Sequence, residues 1–290
     1  MLGKTHKDLP KKILRPVGQL LRIIISLITF CVLVPLGFII PKKKNLLIFI
    51  GNYKSSFSGN VKYLYLYVDR YYHSEYEYYF LAEDHVTFEE LKAHKLPVIF
   101  FPSFKSIIKF YQANAVFVDN NRWITKSRYL YLFNCHKVQL WHGVGFKRIE
   151  RGFNAPILKN LLRHCIDTLK GRYPKYDLII STSKFYTDNV FSKSFNYKKI
   201  IECGYPRNDI FFIDPDEKIL INTDLKSYKK VVGLHNQGYK IILYAPTFRD
   251  LGGDALSDNA LDILGLADFA RKNKIHFIFK FHPGPEYRFN

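Results

Sequence analysis

At 290 residues, with 48% hydrophobic and 24% charged side chains, the chain has room for about two globular domains and is too apolar to be intrinsically disordered. Its 44 Lys and Arg against 25 Asp and Glu leave a formal charge of +19, which implies an anionic partner: nucleic acid, an anionic membrane surface or a phosphorylated substrate. Cys31, Cys135, Cys165 and Cys203 are scattered with no C-x-x-C pair, so neither a zinc site nor a disulfide framework is indicated, and a reducing cytosol fits.

The first residues are polar and basic, and Lys11, Lys12, Arg15 and Arg22 precede an uncharged run over residues 23–40 that is long enough to consider as a membrane span. The run ends in Pro41-Lys-Lys-Lys44 and not in small residues, so it is expected to be retained, unlike a cleaved signal peptide. Basic residues flank both ends, and Pro35 and Gly37 interrupt the run. A bent, re-entrant or in-plane anchor with both ends cytosolic is therefore preferred to a simple span. A buried core helix is the other reading.

From residue 45 the chain alternates strand and helix. Residues 45–51 form an apolar run stopped by Gly51, followed by the serine-rich loop 55–59 and a helix starting near Asn60. Further strands are expected at 76–82, 97–101, 115–118, 137–140 and 177–180. A capping box at Thr87-Phe-Glu-Glu90 predicts one helix start, and residues 103–113 another helix. This alternation predicts a parallel sheet with helices on both faces, a fold that binds ligands at the carboxyl ends of its strands. Asp119, Asn120 and Asn121 follow one such end, where Asx residues usually form turns.

The stretch Val138-Gln-Leu-Trp-His-Gly-Val-Gly-Phe-Lys-Arg148 runs from another strand end into a histidine, two glycines and two cations. Gly143 and Gly145 would let the backbone turn tightly and bring its N–H groups close to an anion. Lys147 and Arg148 supply charge, and His142 is the one side chain there of a type that titrates near neutrality. From the pattern alone, His142 is either a base beside an anion site or a hydrogen-bonded histidine at an ordinary turn.

Residues 154–170 read as a basic, partly amphipathic helix, either plainly solvated or lying on a membrane or an acidic chain. Ser181-Thr-Ser183 caps the next helix, 199–203 is a short strand, and Gly204-Tyr-Pro-Arg-Asn-Asp209 is a turn carrying an arginine. After the charged, helix-prone residues 214–239, a strand at 240–245, a helix at 260–272 and a strand at 275–281 read as the start of a second Rossmann-like domain. With about 50 residues where a domain usually needs about 100 or more, that second domain is expected to be incomplete and to hold a donor poorly.

Four motifs occur together: Gln139-Leu-Trp-His-Gly-Val-Gly-Phe-Lys147, Gly204-Tyr-Pro-Arg-Asn-Asp209, Tyr244-Ala-Pro-Thr-Phe-Arg-Asp250 and Phe279-Lys-Phe-His-Pro283. In order and spacing, over roughly residues 45–283, the chain resembles the CDP-glycerol glycerophosphotransferase family of teichoic acid and capsule polyol-phosphate transferases. The resemblance implies an α/β, GT-B-like architecture of two Rossmann-type domains. The corresponding division is a membrane anchor at 1–44, an acceptor domain at 45–213, a linker at 214–239 and the start of a donor domain at 240–290. It implies transfer of glycerol phosphate or ribitol phosphate from CDP-glycerol or CDP-ribitol to a hydroxyl of a lipid-linked saccharide or polyol-phosphate acceptor. The reaction would release CMP at the cytoplasmic face of a bacterial membrane, and no cofactor or metal is expected. His142 and His282 fall on the family's two essential histidines. The chain departs from the family pattern at Val144, where many members carry a hydroxyl, at Gly145, which stands for a proline, and in lacking the later acidic, hydroxyl-rich turn that helps hold the donor.

A hydroxyl attacking phosphorus needs a base and concentrated positive charge around the phosphoryl oxygens. His142 is the candidate base. His282 and Arg249 are candidates for the donor pyrophosphate and the leaving CMP, with Gly143, Gly145, Lys147, Arg207, Thr247 and Lys280 as further substrate-binding candidates. Asp250 would orient a histidine or a donor hydroxyl, or cap a helix. Two other functions remain open: a GT-B nucleotide-sugar glycosyltransferase or epimerase, and a non-catalytic membrane-attached module binding an anionic polymer. Nucleic acid is not an expected partner, because no helix-turn-helix, RNP or zinc-finger pattern occurs and the cations are dispersed among strand-end loops.

Overall fold

The computed structural model describes residues 35–52, 55–124, 126–132, 134–144, 149, 175–245 and 262–280, which fall into two compact units, 1–222 and 223–290. The first unit is built on seven strands: β1 (Lys43–Ile50), β2 (Glu77–Ala82), β3 (Val98–Phe100), β4 (Ala113–Val118), β5 (His136–Gln139), β6 (Lys175–Ser181) and β7 (Asn196–Glu202). All pair in parallel, in the order β3-β2-β1-β4-β5-β6-β7. The chain therefore builds outward from β1 in one direction and then, from β4, in the other. The carboxyl ends of β1 and β4 flank the point where the order reverses, the usual crevice of such sheets.

β1 explains why the sheet has two covered faces. Its last five residues are an unbroken apolar run, all buried. Leu46, Ile48 and Ile50 join one core cluster with Val116, Trp123 and Phe191, while Leu47 and Phe49 join the other with Val61, Tyr65 and Ile180. Successive side chains of a strand point to opposite faces, so a continuous apolar strand must be covered on both sides.

The helices used below are α1 (Gly59–Tyr71), α2 (His85–Ala93) and α3 (Phe104–Gln112). Ser103 starts α3 through a reciprocal bond with Ser106, each way 3.1 Å. The cap expected at Thr87 lies three residues earlier: Asp84 accepts from the Thr87 N–H at 2.8 Å, and the helix starts at His85. Asp84 precedes His85 and Val86, so the true cap was masked by a better-spaced Thr-x-x-Glu match three residues on.

The boundary at Asn222 divides residues 214–239. Ile219 and Ile221 are buried in the first unit, and the buried Lys62 of α1 donates to both of their carbonyls at 2.6 Å. Burial lowers the Lys62 pKa to about 8. Arg70 pairs with Asp216, and Lys218 with Asp69 at 2.6 Å, so this segment is pinned along the outer face of α1.

The second unit contains α4 (Leu225–Asn236), β8 (Lys240–Tyr244), α5 (Ile263–Lys272) and β9 (Ile275–Phe279). Asp224 and Asp262 cap the two helices, and β8 and β9 pair in parallel from Lys240↔Ile275 to Tyr244↔Phe279. None of its described residues is buried.

Of the apolar run at 23–40, only residues 35–40 are described; 35–39 are helical, with Phe38 and Ile39 exposed. Among the described residues no helix is long and apolar enough to cross a membrane. The basic helix expected at 154–170 lies outside the described residues.

Candidate functional site

At the end of β5 the buried Gln139 bridges neighbours: its Oε1 accepts from the Trp141 N–H at 2.9 Å, and its Nε2 donates to the Tyr176 hydroxyl at 3.1 Å. Trp141 itself makes the sharp turn, at φ +54, with its ring buried against Phe191 and Phe195. A bulky residue in that region is strained by about 1–3 kcal/mol and persists only when its surroundings over-determine it. The tight turn expected of Gly143 is thus made two residues earlier. Among the described residues, a Cβ at Gly143 would meet nothing within 4 Å.

Four successive carbonyls of this loop are each held by a side chain. Asn60, fully buried in the first turn of α1, donates to Leu140 O at 3.3 Å and Trp141 O at 2.8 Å. Arg207 Nη1 donates to His142 O at 3.0 Å, and the Tyr205 hydroxyl to Gly143 O at 3.0 Å. The Arg207 N–H in turn donates to Asn60 Oδ1 at 3.2 Å, and its guanidinium lies 5.5 Å from the Tyr205 ring centre. Burial pushes the Tyr205 hydroxyl well above the usual phenol range, which keeps it a donor. Two motifs far apart in sequence are thereby one structure. Among the described residues, the N–H groups of His142, Gly143 and Val144 have no acceptor. Consecutive free amides beside an arginine are an anion-binding feature.

His142 is exposed, but its ring is oriented: Nδ1 lies 2.7 Å from the main-chain oxygen of Asp119 at the end of β4. A carbonyl can only accept, so Nδ1 carries the proton and the Nε2 lone pair is left available as a base. The Asp119 side chain is buried. Its Oδ2 accepts from the Val61 N–H at 3.3 Å, capping α1 in place of Ser58, whose side chain makes no cap bond. Gly59, at φ +66, is required there, since a Cβ would sit 2.6 Å from Asp119 Oδ2. Burial pushes the Asp119 pKa up to about 7, against the downward pull of the Val61 and Asn60 N–H groups and Arg207. Its Oδ1 is buried with no partner among the described residues. The N-terminus of α1, where such folds often hold a phosphate, is therefore already occupied by a carboxylate.

The structure thus brings together His142, Gly143 and Arg207 of the expected site residues. Lys280 stands in the second unit just after β9, its N–H donating to Tyr244 O at 2.9 Å. Gly145, Lys147, Thr247, Arg249, Asp250 and His282 lie outside the described residues. Among the described residues no three His, Cys, Asp or Glu side chains converge on a metal-sized point. Asn60, Tyr205 and the Asp119 carboxylate were not singled out from sequence. Their signals were an Asx at a helix start, an aromatic inside an arginine motif, and an Asp at a strand end that read as a turn former.

Residues 32–289 match the CDP-Glycerol:Poly(glycerophosphate) glycerophosphotransferase family. The chain belongs to that family. It is 34% identical over 153 residues to a teichoic acid poly(glycerol phosphate) polymerase of Bacillus spizizenii, covering 48% of this chain and 34% of that protein. It is 28% identical over 216 residues to a teichoic acid glycerol-phosphate transferase of Staphylococcus aureus, covering 71% of this chain and 51% of that protein. The chain thus spans between a third and about half the length of these curated relatives. Its fold is similar to that of the wall teichoic acid polymerase TagF, with a TM-score of 0.60 and 19% identity over 93% of this chain and 66% of that one.

Proposed function

We propose that this family member transfers glycerol phosphate or ribitol phosphate from a CDP-alditol to a hydroxyl of a teichoic-acid-type acceptor, releasing CMP. The observation that carries the reading is the His142 loop. A base with a committed Nδ1 sits beside the Arg207 guanidinium and three backbone amides that have no acceptor among the described residues. The acceptor hydroxyl oxygen attacks the phosphorus that bears the alditol, its proton passes to His142 Nε2, and the anhydride P–O bond breaks so that CMP leaves with the electron pair. The amides of His142, Gly143 and Val144 would hold the equatorial phosphoryl oxygens as charge builds on them.

His282, Arg249, Thr247, Asp250, Lys147, Gly145 and Lys280 complete the proposed site on the strength of the motif resemblance, with His282 and Arg249 assigned to the donor pyrophosphate. In this reading the two units are the acceptor and donor halves of a GT-B-like enzyme. The acceptor is lipid-linked, and residues 1–44 attach the protein to the cytoplasmic face of a bacterial membrane. Sedimentation with membranes that weakens on deletion of residues 1–41 is the expected behaviour of that segment.

The test is to incubate the protein with a polyol-phosphate acceptor and CDP-glycerol, CDP-ribitol or UDP-glucose. Acceptor-dependent CMP release from a CDP-alditol is expected, with no UDP from UDP-glucose. UDP release, or no nucleotide release with any of the three, would overturn the assignment.

A further inference from the structure

A cavity of about 460 Å³ opens within the first unit, between the outward face of α1 and the segment around 209–219. Its α1 wall is the i, i+4, i+8 series Tyr63, Tyr67 and Tyr71, and Phe212 faces it from the other side. The core does not use all of these rings: Tyr67 is 46%, Tyr71 58% and Phe212 86% exposed. The Tyr67 and Tyr71 rings lie 4.8 Å apart, a small aromatic wall of the kind that marks a binding surface. The volume falls within the range of small-ligand sites.

The charges around it select the ligand. Asp69, Asp209 and Asp216 line the cavity against Arg70 and Lys218. Both cations are already engaged, Arg70 with Asp216 and Lys218 with Asp69, which leaves the Asp209 carboxylate with no partner among the described residues. Three carboxylates against two cations make this a slightly acidic cavity on a chain of charge +19. Phosphate is disfavoured here, and an aliphatic chain would cover the rings but leave Asp209 without a hydrogen bond. A neutral polyhydroxylated ring satisfies both, stacking its C–H faces on the tyrosines and Phe212 and donating hydroxyls to Asp209.

We propose that this cavity is a subsite for a neutral pyranose. The inference rests on the transferase reading only in making that ring part of the acceptor. Both walls of the cavity continue into the His142 site. α1 carries Asn60 one turn before Tyr63, and the 3-10 helix Pro206–Phe211 carries Arg207 two residues before Asp209. At about 1.5 Å per residue, Tyr67 lies about 10 Å along α1 from Asn60, so a ring held there leaves its attached chain within reach of His142.

Saturation-transfer NMR on the full chain tests this with methyl β-glucopyranoside as the neutral ring and glycerol 3-phosphate as the anion. The expected result is transfer to the pyranose protons, cut at least fivefold by Tyr67→Ser/Tyr71→Ser and by Phe212→Ser, and unchanged by His142→Ala. Glycerol 3-phosphate signals should be unaffected by the cavity substitutions. Because Phe212 is almost fully exposed, that variant remains informative if the double tyrosine variant misfolds. No transfer to the pyranose, or transfer that survives Phe212→Ser, would overturn the subsite whether or not CMP is released. Ring binding without CMP release would instead leave the subsite standing and refute the transferase reading.

Discussion

The two units obey the same strand-helix-strand grammar and differ in what the strands are given to pack against. In the first unit β1 has a parallel neighbour on each side and covered faces, and Leu46, Ile48, Phe49 and Ile50 are completely buried. In the second, β8 and β9 have only each other among the described residues. Leu243 is 62% exposed, and Leu264 on α5 is 82% exposed. Good caps and an apolar pattern make local structure, while stability comes from burial, which among the described residues is concentrated in 1–222. The same contrast holds for the sites. His142 is fixed by β4, β5, α1 and the 206–211 turn together, whereas Lys280 follows β9 of a two-stranded pair.

The sharpest way to break this contrast is a matched pair of truncations. Ile48→Ala should destabilise the first unit by about 2–5 kcal/mol. Leu264→Ala should change stability by no more than about 0.5 kcal/mol. Urea unfolding followed by circular dichroism measures both, and equal effects would mean that the second unit has a core of its own. Hydrogen exchange should agree, with β8 and β9 amides exchanging through openings several kcal/mol cheaper than those of β1 and β4.

Asn60→Ala sharpens the contrast at the site. Removing the carboxamide strips the Leu140 and Trp141 carbonyls of their donor and Arg207 of its acceptor, and should cost about 2–4 kcal/mol. Arg207→Lys, which keeps the charge and loses the planar fork, should cost less stability and mainly slow turnover.

A pH dependence of stability is expected as well. Burial raises the Asp119 carboxyl to about 7 in the folded chain, above its unfolded value, so between about pH 4 and 7 the native state holds the proton more tightly than the unfolded state. Its contribution to stability therefore falls as pH rises through that window, and the full penalty is present above about 7. Asp119→Asn should flatten the dependence and gain on the wild type by on the order of a few kcal/mol between about pH 4.5 and about pH 8. Parallel curves for the two proteins would show that Asp119 stays ionised throughout.

The first sheet was legible in the sequence because continuous apolar runs such as Leu46–Ile50 and the residues preceding His142 leave little alternative to buried parallel strands. The exact helix start at α2 was not, since two capping patterns overlapped. The histidine, the glycine after it and Arg207 were legible as types that suit phosphoryl chemistry. Their joining was not, because it runs through main-chain carbonyls: Asn60, far upstream in the chain, leaves no signature when its partners are the backbone oxygens of Leu140 and Trp141. The tight turn was assigned to glycine on propensity, whereas the positive φ falls on Trp141, whose ring packs against Phe191 and Phe195.

The central claim is that His142, with Nδ1 committed to Asp119 O, is the base. It is tested most directly by single-turnover CMP release from CDP-glycerol in wild type and His142→Ala, with donor binding and thermal melting measured on both. The account predicts a rate lower by roughly two to four orders of magnitude, with donor affinity and melting nearly unchanged. A folded His142→Ala protein that releases CMP at the wild-type rate would contradict it.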